Sequence, residues 1–290
     1  MRRKLRLFKR FITVTLQKKN QELISISGFK ILFTIEKVSS SDPNTCSVSI
    51  YNLTKDTRNK LNEEKALLTV KAGYESENNQ EVIFVGDVNL VKNKVDNSDI
   101  VTTIEARDGD EPLLTTRDSI SFKEGVSVKQ ILKSIIGKFK IAVKTNLDLT
   151  NFANKTYQNG FSFMGELRGL LDKIATDSGL TWSVQNNELK FYGDTAVDKS
   201  LQIIINKETG LIGIPERIKF KKTKETTEKE VSGWSVVTLL QPKAEPGGWA
   251  LISSNEIGEN KEFKIEKVSH TADNFEGDFL TTLEVTEIGK

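Results

Sequence analysis

Apolar and polar residues alternate along most of the first hundred positions. Phe11, Thr13 and Thr15 alternate with Ile12, Val14 and Leu16; Ile24 and Ile26 alternate with serines; Ile31, Phe33 and Ile35 alternate with Leu32, Thr34 and Glu36. A period of two sends successive side chains to opposite faces of a strand, so one face of each segment is buried. After a turn cluster at 39–44, CSVSIYNL predicts another strand, with Val48 and Ile50 on one face. Residues 54–62 predict a short helix with Thr54 as N-cap. Segments 67–74, 81–95 and 99–108 complete a β meander, with polar turns at ENNQ and DNSD.

The period then changes. Val128, Ile131, Leu132, Ile135 and Ile136 fall at helical spacing within 126–139, with Ser127 as a cap, and IAVKTNL after them predicts a short strand. Residues 161–179 predict a second helix, striped by Leu167, Leu170, Leu171 and Ile174 and stopped at Gly179. Strands at 180–185 and 188–192 form a hairpin turning at Asn186 and Asn187. Residues 116–193 thus read as a compact α+β unit carried between β segments. Strands return at 201–206, 217–222, 233–240, 249–253, 261–272 and 278–288, and 222–230 reads as a solvated hairpin tip. Both outer thirds carry the same style of strand, which leaves a duplicated barrel open.

Composition narrows the function. The chain has 290 residues, 37% of them hydrophobic, enough for two compact domains or one large β domain with an insertion. Lys and Arg total 42 against 40 Asp and Glu, so the net charge of +2 points to no polyanion partner. The basic excess sits in MRRKLRLFKR, at Arg2, Arg3, Lys4, Arg6, Lys9 and Arg10, which reads as a solvated or protein-contacting arm, with a phosphate backbone as the alternative. No run approaches the length of a membrane span, and FITVTLQ alternates where a signal peptide would be continuously apolar.

Chemistry finds little support. With Cys46 and His270 each alone of its kind, neither an intrachain disulfide nor the usual Cys/His zinc site can form. His270 lies in a strand with Ser269 on the opposite face, the pattern of a half-buried or interface histidine and not of a triad. Asp108, Asp110 and Glu111, and likewise Glu225, Glu228 and Glu230, lie on no framework that holds two carboxylates across a cleft, and both clusters read as solvated loops. ARDGDEP lacks the regularly spaced ligands of a calcium loop, and no phosphate-cradling glycine motif occurs. Gly86, Gly109, Gly125 and Gly160 read as turn or strand-edge glycines, and Cys46 as an inert strand residue. Trp182, Trp234 and Trp249 read as core or interface anchors, with a sugar-binding platform as the alternative. No catalytic, cofactor-binding or metal residue is assigned. What remains is a large amount of β structure whose edges must be closed or paired.

Three stretches carry a family resemblance. ILFTIEKVSSSDPNTCSVSIYNLTKDTRNKL (31–61) resembles the F-x-V-x-K … P-N-x-x-x-I-x-I-Y-N-L-[ST] signature of phage tail and baseplate hub proteins, with Pro43 and Asn44 opening the second strand and Tyr51, Asn52 and Leu53 leading into the helix. Residues 163–192 are similar to the small helix–hairpin unit of those hubs. Residues 233–288 resemble the hub barrel pattern, with Pro242, Pro246, Gly247, Phe263, Ile265, Val268, His270 and Gly277 in place. Gly248 and Trp249 depart from the pattern, standing where the family often has an acidic and an apolar residue.

The resemblance implies a mostly β (α+β) chain with two tube-like antiparallel β-barrel domains, 1–115 and 199–290, and a small α+β insertion at 116–198. It implies a homotrimer that joins the hexameric tail tube or distal tail proteins to the trimeric central spike. The channel would pass DNA and tape-measure protein, and the subunit would reside in the virion tail baseplate, with no membrane insertion and no enzymatic role. The alternative is a carbohydrate-binding β module of a receptor-binding tail protein. Asn44 and Asn52 are expected to fix turns.

Overall fold

A computed structural model describes residues 9–18, 22–61, 66–75, 79–109, 117–136, 155–193, 197–224 and 227–288. The first third forms β1 (Arg10–Lys18), β2 (Leu23–Ile26), β3 (Ile31–Val38), β4 (Thr45–Tyr51), α1 (Lys55–Leu61), β5 (Ala66–Tyr74), β6 (Asn79–Asp96) and β7 (Asp99–Arg107). The alternation is realised directly: Ile12, Val14 and Leu16 on β1 and Ile31, Phe33 and Ile35 on β3 are buried, while Thr34 and Glu36 face outward. The Thr57 amide donates to the Thr54 hydroxyl, which caps α1. Asn52 adopts the left-handed conformation and its side chain ties the α1 approach to the start of β7, donating to Asp99 and accepting from the Ile100 amide.

The middle third contains β8 (Arg117–Phe122), β9 (Val126–Ser127), α2 (Val128–Ile136), β10 (Thr156–Tyr157), β11 (Phe161–Glu166), α3 (Leu167–Ser178), β12 (Thr181–Gln185) and β13 (Glu188–Tyr192). Ser127 and Gln130 form a reciprocal capping box at the start of α2. The helix expected over 161–179 begins only at Leu167. Residues 161–166 are instead a strand paired with β8, because Phe161 and Phe163 also satisfy a period of two and find a partner strand in 117–122, which the sequence reading left unassigned. The strand expected at 141–147 lies outside the described residues. Asn186 and Asn187 both take positive φ, as a two-residue hairpin turn requires.

The last third holds β14 (Asp198–Ile205), β15 (Leu211–Lys224), β16 (Thr227–Leu239), β17 (Gly248–Ser254), β18 (Gly258–Asp273) and β19 (Phe279–Glu287). Its strand order is β14-β17-β18-β19-β16-β15, and that of the first third is β1-β5-β6-β7-β4-β3, with β2 added outside β1. Taken in chain order, the two series are the same: first, fourth, fifth, sixth, third, second. All neighbouring pairs are antiparallel in both, except that β14 runs parallel to β17 where β1 runs antiparallel to β5. Side chains repeat the correspondence. Three residues past a register shift in β6, Asn93 faces Thr102 and accepts its hydroxyl at 2.8 Å; three residues past the equivalent shift in β18, His270 faces Thr281 at 2.9 Å. The outer thirds are therefore two editions of one six-stranded unit.

Each edition surrounds its own apolar core. Ile12, Phe33, Val48, Leu68, Ile83 and Ile104 meet in the first. Ile203, Trp234, Ala250, Phe263 and Val285 meet in the second, and the insertion has a separate core built on Leu170, Leu171, Ile174 and Trp182. The two editions are fused through β18. Its first half pairs with β17, and its second half, Lys267–Asp273, pairs with β3, so one continuous sheet runs through both. Ala272 and Phe279 from the far end of the β18–β19 hairpin thereby enter the first core.

Candidate functional site

The most chemically unusual part of the molecule is the place where the three cores meet. Hairpin β12–β13 has two buried faces. Trp182, Val184, Leu189 and Phe191 pack into the insertion core, while Ser183, Gln185, Lys190 and Tyr192 point the other way, toward both six-stranded units. A polar face buried in this way needs partners. Asn44, itself buried, supplies several: its amide donates to Val184 O at 2.7 Å and Gln185 Oε1 at 3.1 Å, and its carbonyl accepts the Val38 amide. Gln185 donates to Val38 O and to the Ser183 hydroxyl. The hairpin tip is clasped by Asp108, whose two carboxylate oxygens accept the Asn186 amide at 2.6 Å and the Asn187 amide at 2.8 Å.

Three further charges complete the junction. Lys37, 1% exposed, donates to Asn186 Oδ1 at 3.1 Å and lies 3.9 Å from Glu245 Oε1. Lys190 pairs with Glu245 Oε2 at 2.6 Å, and Asn186 donates to Glu245 Oε1 at 2.8 Å. Burial pushes the Lys37 ammonium below its ordinary range, with Glu245 and Asp108 opposing the shift. Burial alone would raise the Glu245 carboxyl; Lys37 and Lys190 together hold it below the usual value. Asp108 is pushed up to about 6 by burial, against the hydrogen bonds from Asn187, Asn44 and Asn186 and the charge of Lys37. Packing closes what the charges define. A Cβ on Gly247, which has φ of +79°, would stand 2.1 Å from the Tyr192 ring, and one on Gly109 would stand 2.8 Å from Val184. On the far side Glu266, at the register shift of β18, accepts the hydroxyls of Thr286 and Ser39.

These ionisable groups converge without a cleft. They bond to one another and to backbone, which suits them to hold three units in one arrangement. Two open concavities lie elsewhere among the described residues: one along the β8–β11 ribbon at Arg117, Met164 and Glu166, the other between α1 and the β6–β7 hairpin.

Several sequence readings are corrected here. Asp108 belongs to no solvated loop; it is fully buried, and Asp110 and Glu111 lie outside the described residues. Glu230 is exposed and pairs with Lys219, whereas Glu225 lies outside the described residues. His270 is completely buried, not half-buried, and burial together with neighbouring Lys37 pushes it down to about 3, so the ring is neutral. Asn44 does more than fix a turn. Trp234 is 7% exposed under the Arg217 guanidinium, as a core anchor would be, and partly buried Trp249 lies beneath Lys199. Arg10 is a protein-contacting residue, donating to Asp273 O and stacking over Phe279. Cys46 is buried, and burial pushes its thiol up. Among the described residues no group of three or more His, Cys, Asp or Glu side chains is placed to hold a metal, and no helix is long and apolar enough to cross a membrane.

Sequence reasoning missed Lys37, Glu245 and Lys190, although a signal for the first was present. Lys37 continues the inward phase of Ile31, Phe33 and Ile35, and Asp108 continues that of Thr102, Ile104 and Ala106. A charge in the buried phase of a strand implies a buried partner.

This fold is similar to those of solved phage tail proteins. The 43 kDa tail protein of prophage MuSo2 from Shewanella oneidensis superposes with a TM-score of 0.64 at 12% identity, covering 94% of this chain and 96% of that one. A tail protein from Neisseria meningitidis MC58 gives 0.64 at 11%, covering 96% and 97%. The E. coli c3393 protein, a type VI secretion component similar in structure to the T4 tail proteins gp27 and gp5, gives 0.58 at 8%, covering 90% and 74%. The family model described as baseplate hub gp41 matches residues 11–285, and the chain belongs to that family. No curated protein sequence matches it.

Proposed function

We propose that the chain is a structural, non-enzymatic subunit of the baseplate hub, three copies of which close a ring that joins a sixfold tail tube to a threefold central spike. The observation that carries this reading is the internal repeat: each chain holds two editions of one six-stranded unit, so that three copies would present six similar walls around a threefold axis. The lumen of such a ring would pass tape-measure protein and DNA. The residue ranges 1–115 and 199–290 would supply the wall, and 116–198 a unit outside it, clamped by the charged junction.

The work is mechanical. Among the described residues the second edition does not complete its own ladder: no strand pairs with the outer edge of β15, and β14 has only β17 beside it. Free edges of this kind associate unless covered, and copies of the same chain can cover them in a closed ring. Light scattering on purified protein is expected to give three times the chain mass. A twofold species, whose symmetry cannot distribute six units about a threefold axis, would contradict the proposal.

A further inference from the structure

The repeat also says where one copy should meet the next. Within the chain, β3 closes the junction between the editions by adding to the second half of β18. In the repeat, β6 stands where β18 stands, and β15 where β3 stands. Among the described residues the second half of β6 has β7 on one side only, because its pairing with β5 ends at Asp87. The acceptor edge that β3 fills on β18 is thus open on β6, and the donor edge that β3 presents is open on β15.

Exposure follows the same logic. Ala272 is 2% exposed because β3 lies against it, whereas its counterpart Val95 is 68% exposed; His270 is buried, whereas its counterpart Asn93 is exposed. Phe279 is drawn into the first core, whereas its counterpart Ile100, with Asn93, Val95 and Arg58, lines the open concavity beside α1. On the donor side, β15 carries Ile212 and Ile214, 39% and 71% exposed.

We propose that β15 residues 214–220 of one copy add antiparallel to β6 residues 90–96 of the next, repeating between molecules the β3–β18 pairing made within each; this rests on the hub-ring reading and names its seam. Carrying the β3–β18 register through the repeat sets Lys94 opposite Glu216 and Asn93 opposite Arg217. The first is an opposite-charge pair, favourable directly across a ladder. Lys92 and Lys219 bring like charge to the same seam, but each already has a partner in its own chain, Glu105 at 2.9 Å and Glu230 at 3.4 Å. Two different edges meet, so the contact is heterologous and propagates until it closes.

The test is oxidative cross-linking of the full chain carrying Lys94→Cys and Glu216→Cys together. Directly opposed positions have Cβ atoms about 4.5–5.5 Å apart, close enough for a disulfide after small adjustment. The double variant is expected to give a ladder of covalent species ending at the closed ring. Each single variant should stay monomeric on a denaturing gel, as should Lys94→Cys combined with Lys207→Cys. A dimer from Lys94→Cys alone would mean that like edges meet and would overturn the seam. A ring mass in solution without the covalent ladder would overturn the seam and leave the hub reading intact. A monomeric mass without cross-linking would overturn both.

Discussion

Replacing Glu245 with alanine is expected to cost about 3–5 kcal/mol of unfolding free energy, the range found when one partner of a buried ion pair is removed. Glu245 is the carboxylate for both Lys190, at 2.6 Å, and Lys37, at 3.9 Å, and it also accepts the Asn186 amide. Its loss strands a cation that is 1% exposed and has Asn186 Oδ1 as its remaining close acceptor. The charge is the larger part of the effect. Glu245→Gln keeps a side chain able to accept from Asn186 and should still be clearly destabilised, and Lys37→Met added to it should recover part of the loss, since the stranded cation is then gone. Urea unfolding of the unmodified protein, Glu245→Gln, Lys37→Met and the double variant makes a double-mutant cycle whose coupling reports the pair. A loss under about 1 kcal/mol for Glu245→Ala, the level of an exposed pair, would show that solvent reaches the junction.

Asp108 gives the second large effect, in the pH dependence of stability. Its folded value of about 6 lies above its ordinary value of 3.8, because burial opposes ionisation more than the Asn186 and Asn187 amides favour it. The contribution is therefore fully present below pH 3.8 and is lost as the pH rises through 6. A shift of this size corresponds to roughly 3 kcal/mol. Asp108→Asn removes the titration, so between pH 4 and pH 7 the unmodified protein should lose most of this, roughly 2 kcal/mol, relative to the variant. The variant itself should be weaker at both ends, because an amide offers one acceptor to two backbone donors. Urea midpoints at the two pH values decide the matter; a constant difference between the proteins would contradict the buried state of this carboxyl.

Most of the strands were legible because their signal is local. Ile12, Val14 and Leu16, or Ile31, Phe33 and Ile35, announce a buried face within a few residues, and Thr54 and Ser127 announce helix starts by their cap chemistry. The failures have local causes too. FSFMGE runs into LRGLLDKIATDS without a break, so the stripe on α3 extends backward over a strand that only the distant β8 could reveal. The fusion of the two units was not legible, since it depends on β3 meeting a strand more than two hundred residues away. The parallel pairing of β14 with β17 was hidden for the same reason, as an alternating segment reads identically in either direction.

The junction was half legible. Phase alone places Lys37 and Asp108 inward, and composition cannot say what they meet there. Glu245 sits between strands, in a loop recognised only for its prolines and glycines, and Lys190 sits on a hairpin whose two faces are both covered. A two-faced burial reads in sequence as an ordinary amphipathic strand, and becomes visible only when the second neighbour is in place. Even so, the fold class expected from the resemblance, a mostly β chain with two similar antiparallel β units and a small α+β insertion, agrees with the strand order in which the two outer thirds coincide.

The claim that matters most is that each molecule carries two interchangeable pieces of one hollow wall. Electron cryo-microscopy of the assembled tail tests it directly. The account predicts three copies on the tail axis, their six β units at near-equal angular steps around an open passage. A map placing this chain off the axis, or showing its two β units at unlike radii with no lumen between copies, would contradict it.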